Sequence, residues 1–297
     1  MIRYFGYACI NTSLKPRTFQ TCRLKSVYKY GIDYLREKII NNLILTKDII
    51  LWNITNSIYM YRVTSQILPL VTHPEVLDNF EWRWYEDIYI LKLMADIKII
   101  VEDNNIRLSM HPDQFTVINS NKDYVVRNSI EYLKYHYDIL KKLGGQDIIV
   151  HIGGVYGDKN EAIKRFIENF KSLDDNIGRM IKIENDDKSY NIDDIMHISN
   201  QTNIPVVFDL HHHNCNHINN VDSEYVKSIT DTWIGTGMLA KMHISSGNKS
   251  LVDRKHSEYI NLEDFVNIKK LTKFVEIDLM VEAKMKEQAV LRLIEKR

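Results

Sequence analysis

Cysteine is scarce in this chain. The three present, Cys9, Cys22 and Cys215, are odd in number and form no Cys-x-x-Cys pair, which excludes a disulfide framework and a zinc ribbon and points to a reducing compartment. No stretch reaches the roughly 18 uninterrupted apolar residues of a membrane span, and Met1-Ile2-Arg3-Tyr4 lacks the basic-then-apolar build of a secretion signal. A cytoplasmic protein with no membrane partner is the expectation. Net charge is also missing: 39 basic residues balance 39 acidic ones, so no global positive field draws the protein to nucleic acid, and such binding must come from a local basic face. There is no Pro/Gly/Ser-rich linker and no break in composition. The segment Gly6-Tyr7-Ala8-Cys9-Ile10-Asn11 has neither G-x-G-x-x-G nor a Walker loop, so no nucleotide cofactor is expected.

What is present is an ordinary globular balance, 44% hydrophobic and 26% charged over 297 residues. Eight β-rich runs, at 3–8, 61–67, 107–110, 148–150, 180–183, 205–208, 240–242 and 274–281, alternate with segments of helical period. In 124–143, Val126, Ile130, Leu133, Tyr137 and Leu140 recur at spacings of four and three, and Gly144-Gly145 stops the helix. Asp158, three residues before Glu161, opens the next one as a capping pair. Residues 28–56 hold two helical stretches before the second strand. Eight alternating units without a linker predict an α/β fold, one closed (β/α)8 TIM barrel forming a single catalytic domain over 1–297.

Barrel sites are built at the carboxyl ends of the strands. Those ends carry His111, His151, Glu184, Asp209 with His212, His243 and Glu282, while His73 and His256 lie in loops beyond the second and seventh strands. Converging on one mouth, these imidazoles and carboxylates cannot all desolvate without cations between them. His136 and His197 fall on predicted helices instead, as surface or packing residues, and His217 has no assignable role. A His, Glu and Asp set without thiolate suits Mn²⁺, Zn²⁺ or Fe²⁺, and at least eight candidates imply two or three divalent ions with Glu184 bridging. Clustered cations bind phosphate oxygens, generate hydroxide and stabilise a leaving alkoxide, so phosphodiester hydrolysis is the expected reaction. Lys241 and His243 are two apart and face inward together; the lysine can neutralise Glu184 or take up carbon dioxide as a carbamate. By the same parity Lys182 and Asp278 face inward one layer below, as an expected ion pair.

The segments Gly6-Tyr7-Ala8…Asn11, Met110-His111-Pro112-Asp113-Gln114-Phe115, His151-Ile152-Gly153-Gly154, Glu184-Asn185-Asp186-Asp187, Phe208-Asp209-Leu210-His211-His212-His213, Lys241-Met242-His243-Ile244-Ser245-Ser246 and Glu282-Ala283-Lys284 resemble the UV damage endonucleases in order and spacing over nearly the whole chain. That family is a metal-dependent barrel related to endonuclease IV, which nicks double-stranded DNA 5′ to UV photoproducts and some other lesions and leaves a 3′-hydroxyl. The resemblance implies His111, His151, Glu184, Asp209, His212, His243, His256 and Glu282 as metal ligands, Mn²⁺ as the preferred ion, and His73 near the cluster. Catalysis falls to Glu184, Glu282 and Lys241, the last matching a lysine that can be carboxylated. Gln114 and Phe115 match a pair that probes the duplex, and Tyr7 and Asn11 match residues lining the site. Two departures stand out: the related abasic-site enzymes have Asp where Arg254 stands, and relatives carry another aromatic in place of Phe115.

An apolar wedge beside an amide, as in Gln114-Phe115, is also what insertion into a base stack needs. Basic residues on carboxyl-end loops, Lys15, Arg17, Arg23 and Lys25, then Lys249, Arg254 and Lys255, are placed to contact phosphates. The working expectation is a monomer acting on damaged DNA. Two rivals are a metal-dependent sugar isomerase or epimerase on the same barrel and a non-catalytic damage-binding protein.

Overall fold

The computed structural model describes residues 1–15 and 18–296; Arg17 lies outside the described residues. Eight strands close into a barrel in sequence order, all parallel: β1 (Ile2–Ala8), β2 (Met60–Val63), β3 (Arg107–Met110), β4 (Asp147–Val150), β5 (Ile181–Glu184), β6 (Val206–Asp209), β7 (Ala240–Ile244) and β8 (Ile277–Val281), with β8 paired back on β1. The helices used below are α1 (Leu24–Tyr30), α2 (Ile32–Thr55), α3 (Pro74–Asn79), α4 (Ile88–Asp103), α5 (Asp123–Leu143), α6 (Lys159–Lys171), α7 (Asp175–Met180), α8 (Ile192–Thr202) and α9 (Leu210–Cys215). The strands are buried on both faces, by the barrel interior and the helical ring; in β3, β5 and β7 apolar residues toward the helices alternate with polar and charged residues toward the interior. That is the expected TIM-barrel architecture.

Register fixes which side chains share the interior, because directly paired residues of a parallel ladder point to one face. Gly6 pairs with Met60 and Met280, Arg62 with Ser109, Ser109 with Asp147, Ile149 with Lys182, Glu184 with Val207, Asp209 with His243, and Lys241 with Asp278. All of these face inward. Tyr7 pairs with Tyr61 and Val281 and therefore faces the helical layer. Gly6 is required by crowding: a Cβ there would lie 2.5 Å from the Met60 carbonyl oxygen.

The interior below the mouth is ionic. Asp147 lies 2.9 Å from Arg107 and 2.7 Å from Lys241, and Asp278 lies 2.7 Å from both Arg107 and Arg3. The expected Lys182–Asp278 pair does not form, because two arginines already occupy Asp278; Lys182 instead donates to the Arg179 carbonyl at 2.8 Å. The run expected at 61–67 stops as a strand at Val63, where Ile67 N–H closes a turn onto the Thr64 carbonyl. In α5 the buried stripe runs through Ser129, Leu133, His136, Leu140 and Leu143, so Val126, Ile130 and Tyr137 lie on its flank rather than its centre.

Candidate metal centre at the barrel mouth

Glu184 ends β5 fully buried, and its two oxygens face different partners. His111 Nε2 lies 3.1 Å and His151 Nε2 3.7 Å from Oε2, while His243 Nδ1 lies 2.8 Å and His212 Nδ1 3.6 Å from Oε1. Two groups of potential ligand atoms result, His111, His151 and Glu184, then Glu184, Asp209 and His243, each with its atoms within 4.8 Å of one another. Burial alone would raise the Glu184 pKa, but the imidazoles of His243 and His151 hold it well below the carboxylate range. Burial lowers the His151 pKa, toward the neutral ligand form, whereas Asp209 and Glu184 override burial at His212 and hold it up at about 9.

A divalent cation fits this donor set. Asp209 Oδ2 and His243 Nε2 are buried without a hydrogen-bond partner among the described residues, a costly state for polar atoms beside a cluster of nitrogen and oxygen donors. Glu282 follows β8 with Oε1 3.5 Å from His243 Nδ1, and accepts from Arg62 Nη1. Arg62 is a site residue that sequence reasoning missed. Extending β2 to Ile67 put the strand end in the wrong place, although inward parity of Met60 and Arg62 carried the signal.

The remaining candidates divide. His212, at the first turn of α9, neighbours both His151 and Glu184, its ring 5.6 Å from that of His151 and its Nδ1 3.6 Å from Glu184 Oε1. His256 packs against His211, with ring centroids 5.7 Å apart, and belongs to neither close group. His73 does not join the cluster: it caps α3, its Nδ1 accepting from Glu75 N–H at 3.2 Å. Lys241 reaches down to Asp147 rather than up to Glu184, and burial brings its pKa down to about 8. Tyr7 and Asn11 do not line the mouth. Both are fully buried, with Asn11 donating to the Tyr7 hydroxyl and that hydroxyl to Asn53 of α2.

Gln114 and Phe115 project from the segment after His111, and Phe115 is 76% exposed. They line a cavity of about 920 Å³ together with His111, His151 and His212. Lys15 and Lys249 are exposed on the loops after β1 and β7, and Arg254 holds Asp187 at 3.1 Å. No described helix is long and apolar enough to cross a membrane.

A closed barrel with clustered imidazoles and carboxylates at its mouth belongs to a recurrent class of metal-capable (β/α)8 proteins. Endonuclease IV from Thermus thermophilus has this fold: at 10% identity it overlays with a TM-score of 0.57, covering 99% of this chain and 100% of that one. The family is narrower. The UV-endonuclease UvdE family matches residues 3–297, and the chain belongs to it. The UV DNA damage endonuclease of Bacillus mycoides is 38% identical over 99% of this chain and 94% of its own. The crystal structure of SacUVDE, 32% identical, overlays with a TM-score of 0.89 over 99% of this chain and 97% of the other. The protein is therefore a DNA repair endonuclease, which sets aside the sugar-isomerase and binding-only alternatives.

Proposed function

We propose that this endonuclease works as one catalytic domain, residues 1–297, and as a monomer, cutting double-stranded DNA immediately 5′ to UV photoproducts and some other lesions to leave a 3′-hydroxyl. Two or three divalent cations, Mn²⁺ foremost, are its cofactors. The observation that carries this reading is the sharing of Glu184 by two ligand groups, the arrangement expected of a bridging carboxylate. His111 and His151 complete one side, Asp209 and His243 the other, with Glu282, His212 and His256 at the margin. Bound cations would supply positive charge for the phosphate and a hydroxide at neutral pH. Arg62 keeps Glu282 ionised and aimed at His243. Phe115 and Gln114 enter the base stack where damage has weakened pairing, so selection is partly energetic. Lys15 and Lys249 hold the phosphate backbone, with Arg254 contributing when it leaves Asp187.

Nicking of ultraviolet-irradiated supercoiled plasmid, compared with unirradiated plasmid in Mn²⁺ and in EDTA, tests the reading. Irradiated plasmid is nicked only with Mn²⁺, and Glu184→Ala abolishes the nicking. Full activity of the metal-replete Glu184→Ala variant contradicts the assignment.

A further inference from the structure

We propose that Tyr156 is the platform on which an everted base of the damaged strand stacks, making it a specificity-determining residue; this rests on the function proposed above. A cut beside the lesion requires that a displaced base lodge within about one nucleoside of the metal ligands. The buried state of Tyr7 and Asn11 denies it a place there. The mouth cavity supplies one: its lining includes His111, His151 and His212 together with the aromatic residues Phe115, Tyr124 and Tyr156.

The Tyr156 ring is set in place by its loop. The residue takes φ +53°, left-handed for a bulky side chain, between Gly153 at +113° and Gly157 at +89°. Backbone held in such a region, at the lip of a site, is strain that the surrounding structure must sustain. The Gly154 carbonyl is pinned by the Asn119 amide at 2.8 Å and the Tyr190 hydroxyl at 2.9 Å. A Cβ on Gly154 would lie 2.9 Å from Tyr156 Cζ, so the ring rests against that glycine. It nevertheless stays 40% exposed. This fixed, partly exposed aromatic, flanked by the Arg165 guanidinium carbon 5.7 Å from its centroid, lines a cavity shared with His111, His151 and His212, a setting that matches what a planar pyrimidine recognises by stacking.

The test uses the full chain loaded with Mn²⁺. It compares kcat/KM on a duplex holding one pyrimidine dimer with the Kd for the same undamaged duplex. Tyr156→Leu keeps bulk against Gly154 but removes the π-face, and it lowers kcat/KM about 5- to 140-fold, the range expected for one base–aromatic stack. The undamaged Kd and the thermal midpoint stay put, and Tyr156→Phe retains wild-type behaviour. Gly154→Ala, which pushes the ring aside, lowers kcat/KM in the same direction. Wild-type kcat/KM in Tyr156→Leu overturns this inference alone, whereas a wild-type protein that does not cut the dimer duplex overturns the functional reading and this inference with it.

Discussion

His136 lies fully buried on α5, its Nδ1 2.7 Å from the Tyr132 carbonyl oxygen and its ring edge-on to Tyr132 and Tyr135. Burial depresses its pKa from the usual 6.5 to about 4. Only the unfolded chain binds the proton between these values, so stability falls as pH drops from about 6.5 toward 4, by up to ~3 kcal/mol, and this loss levels off below. His136→Leu should flatten that limb in urea midpoints measured against pH; an unchanged slope would mean that the imidazole charges freely in the fold. The place of His136 on a helix left a surface and a packing role both open. Its depth is not legible in the sequence, because the periodic apolar stripe of 124–143 is centred on the other side of Leu133 from the buried one.

At the level of elements, the caps were easier to read than the strand ends. Asp158 accepts from Asn160 N–H at 2.9 Å and Glu161 N–H at 3.1 Å at the start of α6, as anticipated, whereas no returning bond from Glu161 forms among the described residues. The reciprocal box occurs instead at α8, between Asn191 and Asp194. Asp158→Ala should therefore cost about 1 kcal/mol, read as a lower thermal midpoint, the loss expected for one cap. No shift would show that water replaces the carboxylate without penalty. Short strands such as β4 and β6 are legible by β-branched and apolar content, but polar residues carried the pattern past the end of β2. That single overrun hid Arg62 and made His73 look like a neighbour of the ligands.

For the whole molecule, closure into a barrel made the clustering of imidazoles and carboxylates legible: residues far apart in sequence meet only because the strands return to one rim, as Arg107 meets Asp278, 171 positions away, inside. Period-2 alternation correctly put Lys241 and His243 on one face, yet could not say that Asp147 rather than Glu184 takes the lysine, since partner choice depends on layer height around the ring. Arg107 is the tie of that lower layer, joining β3 to β4 and β8 and donating to the Leu239 carbonyl at 2.7 Å. Arg107→Met breaks two buried ion pairs at once, leaving Asp147 with Lys241 alone and Asp278 with Arg3 alone, and should lower the free energy of unfolding by about 3–5 kcal/mol in urea denaturation. A loss below about 1 kcal/mol would show that the lower layer reorganises around the gap.

The most direct measurement is an anomalous difference map from crystals grown with Mn²⁺ and recorded at the manganese absorption edge. Peaks are predicted on both sides of the Glu184 carboxylate, one facing His111 and His151 and one facing Asp209 and His243. A barrel mouth without anomalous density, in crystals whose protein nicks irradiated DNA when redissolved, would contradict the account.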